Sequence, residues 1–113
     1  MSELAKKTCI PCQGGVPPLE KERCKKMMQS LGEDWSLSEE GNRLKLSLTF
    51  DNFEKPMQLA QEIGQMADEQ WHHPELHIGY GHLDVEVWTH KIDGLVESDF
   101  IFAAKVDEIR QEK

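Results

Sequence analysis

The chain has 113 residues, 38% hydrophobic and 30% charged, with a formal net charge of −8. That is length for one modest core, and no apolar run approaches the roughly 20 residues that a membrane helix needs. An acidic chain is a poor match for phosphate backbones, which argues against nucleic acid as a direct partner.

Residues 1–16 contain Pro11 and Gly14-Gly15 and few core-forming side chains, so they are expected to form an irregular arm ahead of a single domain over 17–113. The opening Met1–Lys7 lacks the apolar core of an export signal, which makes the cytoplasm the expected compartment. Cys9-Ile10-Pro11-Cys12 has the spacing of redox and zinc sites, but it lies in a Pro/Gly-rich stretch with no second pair nearby. With Cys24 the cysteine count is three, which does not suggest a disulfide scaffold. The arm reads as carrying incidental cysteines.

Pro17-Pro18 is expected to open a helix over about 19–31, with Leu19, Met27, Met28 and Leu31 as a partial apolar face and Gly32 as its stop. Lys21, Arg23, Lys25 and Lys26 form the densest basic cluster and are expected on its solvated face. Trp35–Leu37 and Arg43–Phe50 flank Glu39-Glu40-Gly41-Asn42 as a hairpin. The second strand alternates strictly, with Leu44, Leu46, Leu48 and Phe50 on one face, so it should be covered on that face only.

Asp51-Asn52-Phe53-Glu54 has the form of a capping box with Asp51 as the cap. Phe53, Met57, Ala60, Ile63 or Gly64, Ala67 and Trp71 then recur at helical spacing, giving one buried stripe in which Gly64 allows close approach to the sheet. Pro74 ends that helix. His77–Tyr80 and Leu83–His90 predict a second hairpin turning near Gly81-His82. Leu83, Val85, Val87 and Thr89 face one way; Asp84, Glu86, Trp88 and His90 face the other. A last helix over 97–111 presents Phe102, Val106 and Ile109. The expected fold is α+β, a two-layer sandwich of a four-stranded antiparallel sheet with three helices on one face, in the order α-β-β-α-β-β-α.

Asp68-Glu69-Gln70-Trp71-His72-His73-Pro74-Glu75 ends the central helix and places two histidines before a strand; His90 ends the next strand and Asp99 lies in the first turn of the last helix. Imidazoles titrate near neutrality and both donate and accept protons, so three that converge would make an acid–base site. The plainer reading is that one of the pair caps the helix, where a cation suits the C-terminal dipole, while Asp99 suits the opposite end of its own helix. Trp71 and Trp88 read as packing residues. His77 and His82 bring the histidines to five, but no HExxH or His-x-His pair is present, which leaves a zinc hydrolase as a weak alternative.

The combination Asp68-x3-His72-His73-Pro74-Glu75, Tyr80, Thr89-His90, Gly94-Leu95 and Asp99 resembles the pterin-4a-carbinolamine dehydratases, a family known also through a dimerisation cofactor of a homeodomain transcription factor. The resemblance runs from about Pro18 to Ile109, and Cys9-x-Pro11-Cys12-x-Gly14-Gly15 resembles the arm of bacterial members. It implies dehydration of 4a-hydroxytetrahydrobiopterin to quinonoid dihydropterin, recycling the pterin of aromatic amino-acid hydroxylation, with no metal and no organic cofactor. By position it implies His72, His73 and His90 as the catalytic histidines. His73, Asp68, Pro74, Glu75 and Asp99 are the implied substrate-binding residues. It also implies a homodimer or homotetramer, and an aromatic amino-acid hydroxylase as a metabolic partner. Two departures stand out. Leu76 replaces an aromatic residue common after His-His-Pro-Glu, and Val96 replaces a Thr that could cap the last helix, so Asp99 is expected to depend on Glu97 or Ser98. The competing readings are a non-enzymatic oligomerisation or coregulator module on the same fold, or a relative acting on another pterin, such as one in molybdopterin metabolism.

Overall fold

A computed structural model describes residues 17–111. The elements are α1 (Lys21–Met28), β1 (Trp35–Leu37), β2 (Leu44–Thr49), α2 (Glu54–Gln70), β3 (Glu75–Gly79), β4 (His82–Val87) and α3 (Glu97–Gln111). All strand pairings are antiparallel, in the order β1-β2-β4-β3, so the two hairpins join through β2 and β4. The fold is the expected α+β sandwich. The arm, with Cys9 and Cys12, lies outside the described residues.

Alternation in the strands does what its period requires. Leu44 and Leu46 of β2 and Leu83, Val85 and Val87 of β4 are fully buried, while Lys45, Ser47, Asp84 and Glu86 stand on the other face. In register, Leu46 lies opposite Val85 and Lys45 opposite Glu86, whose charges are 3.7 Å apart. The apolar face is closed by Ala60, Ile63 and Ala67 of α2 and by α3. Each large side chain so buried contributes about 1.5–3 kcal/mol, and the helix layer exists to cover that face. Every residue from Ser98 to Ala104 is buried, so the N-terminal half of α3 is enclosed on all sides rather than on the single face of Phe102, Val106 and Ile109. Among the described residues no helix is long and apolar enough to cross a membrane.

Several local expectations are corrected. Helix α1 begins at Lys21 rather than beside Pro17-Pro18. Leu19 instead donates its N–H to the Leu95 carbonyl at 2.7 Å, and Pro18 packs so closely on Gly94 that a Cβ there would stand 2.7 Å from the proline ring. Asp51 does not cap α2. Asn52 Oδ1 accepts the Lys55 N–H at 2.9 Å, while the Asp51 carbonyl accepts the Tyr80 hydroxyl. Pro56 sits buried in the first turn, where its missing N–H costs no helical bond. The stripe of α2 is shorter than its sequence period: Phe53 and Trp71, at its two ends, are 47% and 76% exposed. Nothing lies within 4 Å of where a Gly64 Cβ would be, so this glycine is not a close-packing device. The basic cluster Lys21, Arg23, Lys25 and Lys26 is exposed as expected, around buried Cys24.

Candidate active site

Asp99 is the centre of the site. Its side chain has no solvent exposure, and it lies in the first turn of α3, where the helix dipole favours a carboxylate. Its Oδ2 accepts the Thr89 hydroxyl at 2.8 Å and the Val96 backbone N–H at 2.9 Å; its Oδ1 lies 2.6 Å from His72 Nε2. Asp99 therefore caps its own helix. Val96 has no capping side chain, and the geometry expected of Glu97 or Ser98 is met by Asp99 reaching back three residues.

His72 arrives from the other side of the core. Helix α2 ends at Gln70, and its cap Trp71 takes the left-handed conformation (φ 54°, ψ 37°) and lets His72 N–H reach the Ala67 carbonyl. That reversal turns the chain so that His72 is buried, with its ring tilted against Phe102 at 5.7 Å between centroids. Two neutral-group donors already occupy Asp99 Oδ2, an arrangement suited to an ionised carboxylate. An ionised carboxylate only accepts, so with Asp99 ionised His72 Nε2 donates in the 2.6 Å contact and Nδ1 is the nitrogen left for other work.

The other predicted residues are placed differently. His73 Nε2 lies 2.9 Å from Asp68 Oδ1, but both side chains are largely exposed. Pro74 is half-buried, and Glu75 is exposed at the start of β3, opposite Glu86. His90 does not end a strand; it begins a short 3-10 turn, His90–Ile92. Its ring rests on half-buried Trp88, with centroids 4.4 Å apart. Trp88 in turn carries the Arg43 guanidinium 4.2 Å from its ring centroid. The structure thus joins His72 to Asp99 and Thr89, His73 to Asp68, and His90 to Trp88 as three separate contacts. His90 is nonetheless one residue from Thr89, whose hydroxyl is on Asp99.

Sequence reasoning missed Thr89 as a ligand of Asp99, although its signal was visible: a hydroxyl on the apolar face of β4's continuation must find a buried partner. It also missed Arg43, which lies 50 residues from its partner Asp93 and carries no local signal. Trp71, read as packing, stands in solvent.

A surface cavity of about 440 Å³, lined by Leu48, Phe50, Lys55, Gln58, Leu59 and Arg110 among others, lies at the first turns of α2 and contains none of the histidines. The case for the histidine site rests on its hydrogen bonds, not on cavity size.

With this geometry in place, comparison with known proteins is decisive. The family model described as "Pterin 4 alpha carbinolamine dehydratase" matches residues 17–109. The chain belongs to that family. A Rickettsia bellii relative named for pterin-4-alpha-carbinolamine dehydratase is 49% identical over 104 residues, covering 92% of this chain and 91% of the relative. A Rubrobacter xylanophilus relative of the same name is 47% identical over 109 residues, covering 96% of this chain and all of the relative. The crystal structure of a Brucella melitensis protein described as a transcriptional coactivator/pterin dehydratase matches with a TM-score of 0.74 over 81% of this chain and 97% of that one. At 24% identity, this last likeness speaks for the dehydratase fold alone.

Proposed function

We propose that the protein dehydrates a 4a-hydroxytetrahydropterin, with 4a-hydroxytetrahydrobiopterin as the substrate in recycling the pterin of aromatic amino-acid hydroxylation. The supporting observation is the buried His72–Asp99–Thr89 cluster within a chain of the dehydratase family. The reaction breaks the C4a–O bond as the leaving hydroxyl takes a proton and departs as water. The N5 proton is removed, and its electron pair forms the C4a=N5 bond of the quinonoid product. One acid and one base suffice, and imidazoles serve as either near neutral pH.

In this reading His72 and His90 transfer the protons. Asp99 fixes the His72 ring through Nε2, which directs Nδ1 to the pterin. His73, paired with Asp68 at the exit of α2, binds and orients the substrate, and Pro74 and Glu75 complete that side of the site. The chemistry needs no metal or organic cofactor. The protein acts in the cytoplasm as a homodimer or homotetramer, and the aromatic amino-acid hydroxylase is its metabolic partner.

The test is stopped-flow absorbance of 4a-hydroxytetrahydrobiopterin decay with and without protein. Acceleration over spontaneous dehydration is expected, and His72→Ala is expected to remove it while sedimentation shows the same assembly. A folded wild-type protein without acceleration would sink the dehydratase reading in favour of a coregulator module or another pterin. Full turnover by His72→Ala would sink the site assignment alone.

A further inference from the structure

His90 is an exposed histidine, and an exposed imidazole on a short turn has rotamer freedom that proton transfer does not tolerate. Its surroundings remove that freedom through a closed circuit of contacts. The His90 ring lies against Trp88 at 4.4 Å with 36° between planes. Arg43 lies over the same indole at 4.2 Å from its centroid. Arg43 Nη2 donates to Asp93 Oδ1 at 2.6 Å, and Nη1 donates to the Asn42 carbonyl at 2.8 Å. Asp93 closes the circuit by donating its N–H to the His90 carbonyl, from a left-handed conformation at the end of the 3-10 turn. Beneath this turn, Thr89 and Gly94 exchange backbone hydrogen bonds of 2.8 and 3.4 Å.

Each link has a reason to be the residue it is. A guanidinium is planar, so it can lie over an indole and still present N–H groups to a carboxylate, which an ammonium cannot do in the same way. The Arg43 side chain is 23% exposed and held between the indole and its acceptors, while its partner Asp93 is 72% exposed, so the ordering comes from the stacked guanidinium more than from the ion pair. Trp88 offers a flat face wide enough for an imidazole.

We infer that Trp88, Arg43 and Asp93 are positioning residues for His90, fixing its imidazole for proton transfer to or from the substrate. The inference rests on the dehydratase reading above and deepens it. Trp88 and Arg43 touch no reacting atom; they act through His90.

This makes a prediction that a purely structural role does not. Displacing a proton-transfer group by about 1 Å costs on the order of 100-fold in turnover. Trp88→Ala is expected to lower kcat by roughly 10- to 100-fold with KM within about twofold, and Trp88→Phe, which keeps a flat face, to restore most of it. Arg43→Ala should lower kcat by a smaller factor, which Arg43→Lys does not restore. The discriminating measurement is the double variant. If Trp88 works through His90, Trp88→Ala adds nothing to the loss already caused by His90→Ala, whereas independent effects multiply. Should Trp88→Ala fail to fold, the cycle of Arg43→Ala with His90→Ala carries the same test.

Multiplying losses, or single variants within twofold of wild-type kcat, would overturn the positioning role while leaving wild-type dehydration intact. Unimpaired turnover by His90→Ala would overturn it by removing the His90 role on which it depends. A folded wild-type protein that does not accelerate dehydration would overturn the dehydratase reading itself, and the positioning role with it. These failures are distinguishable from one another.

Discussion

The adjacent histidines His72 and His73 each pair with an aspartate, and the two pairs, alike in composition, differ in almost everything else. His72 and Asp99 are 6% and 0% exposed, at 2.6 Å; His73 and Asp68 are 57% and 81% exposed, at 2.9 Å. The first pair joins the segment that follows α2 to the first turn of α3, 27 residues apart in sequence, and its carboxylate holds two further donors. The second is local, made between the last turn of α2 and the second residue beyond its cap. Burial makes the first pair a fixed part of the core, since each polar group left unmatched there costs free energy. Solvent leaves the second adjustable, a property suited to the substrate-binding role proposed for His73.

Breaking the buried pair should have the largest effect. Asp99→Ala strands the Thr89 hydroxyl, the Val96 N–H and the His72 ring, and should cost about 3–5 kcal/mol in urea unfolding, together with dehydration activity. A loss under about 1 kcal/mol would mean that the cluster is not energetically coupled to the core.

Asp107 sharpens the comparison as a carboxylate without a histidine. It accepts the Gly32 N–H and the Trp35 indole N–H, both at 2.8 Å, and pairs with Arg110, which also reaches Asp34. It thereby pins the loop between α1 and β1 to the last turns of α3. Asp107→Ala should cost about 1–3 kcal/mol of stability, measured the same way, with kcat unchanged. A fall in kcat comparable to that of Asp99→Ala would erase the distinction between structural and functional carboxylates drawn here.

Trp71, which precedes both histidines, has the opposite sign. A tryptophan in left-handed backbone with its ring in solvent gains little from burial to offset its conformation. Trp71→Gly should raise the melting temperature, equivalent to about 1 kcal/mol, because glycine adopts that conformation without a Cβ clash. A lower melting temperature would show that the indole makes a stabilising contact outweighing the backbone relief.

The exposed pair should be the weakest in stability. Asp68→Asn is expected to change unfolding free energy by less than about 1 kcal/mol while raising KM for the pterin. An unchanged KM would remove Asp68 and its hold on His73 from the binding side of the site.

A thiol reports on the buried pair without disturbing it. Burial pushes the Cys24 thiol up from its ordinary value, and the charge of Asp99 adds to that shift. Cys24 should therefore remain protonated and slow to alkylate at pH 8, well below the rate of the unfolded chain. Reaction at the unfolded rate under native conditions would show that α1 opens freely.

Much of this was legible in the residues themselves. The period of two in Leu44–Phe50 and Leu83–Thr89 gave the faces of β2 and β4, because alternate side chains on a strand must point to opposite sides. The period of α2 gave the helix laid on them, and Pro74 its end. His72-His73-Pro74-Glu75 with Thr89-His90 and Asp99 pointed to one family before any fold was seen. Periodicity assigns a residue to a face, but it does not say which distant group will meet it there. That Asp99 would cap its own helix and take His72, that Arg43 would lie on Trp88 and reach Asp93, and that Asp107 would hold Trp35 are pairings across 27, 50 and 72 residues. Only packing brings such groups within hydrogen-bonding distance. The same packing decided the reverse case at Trp71: its spacing continued the apolar stripe, but α2 ends one residue earlier, and the left-handed turn that buries His72 leaves the tryptophan in water.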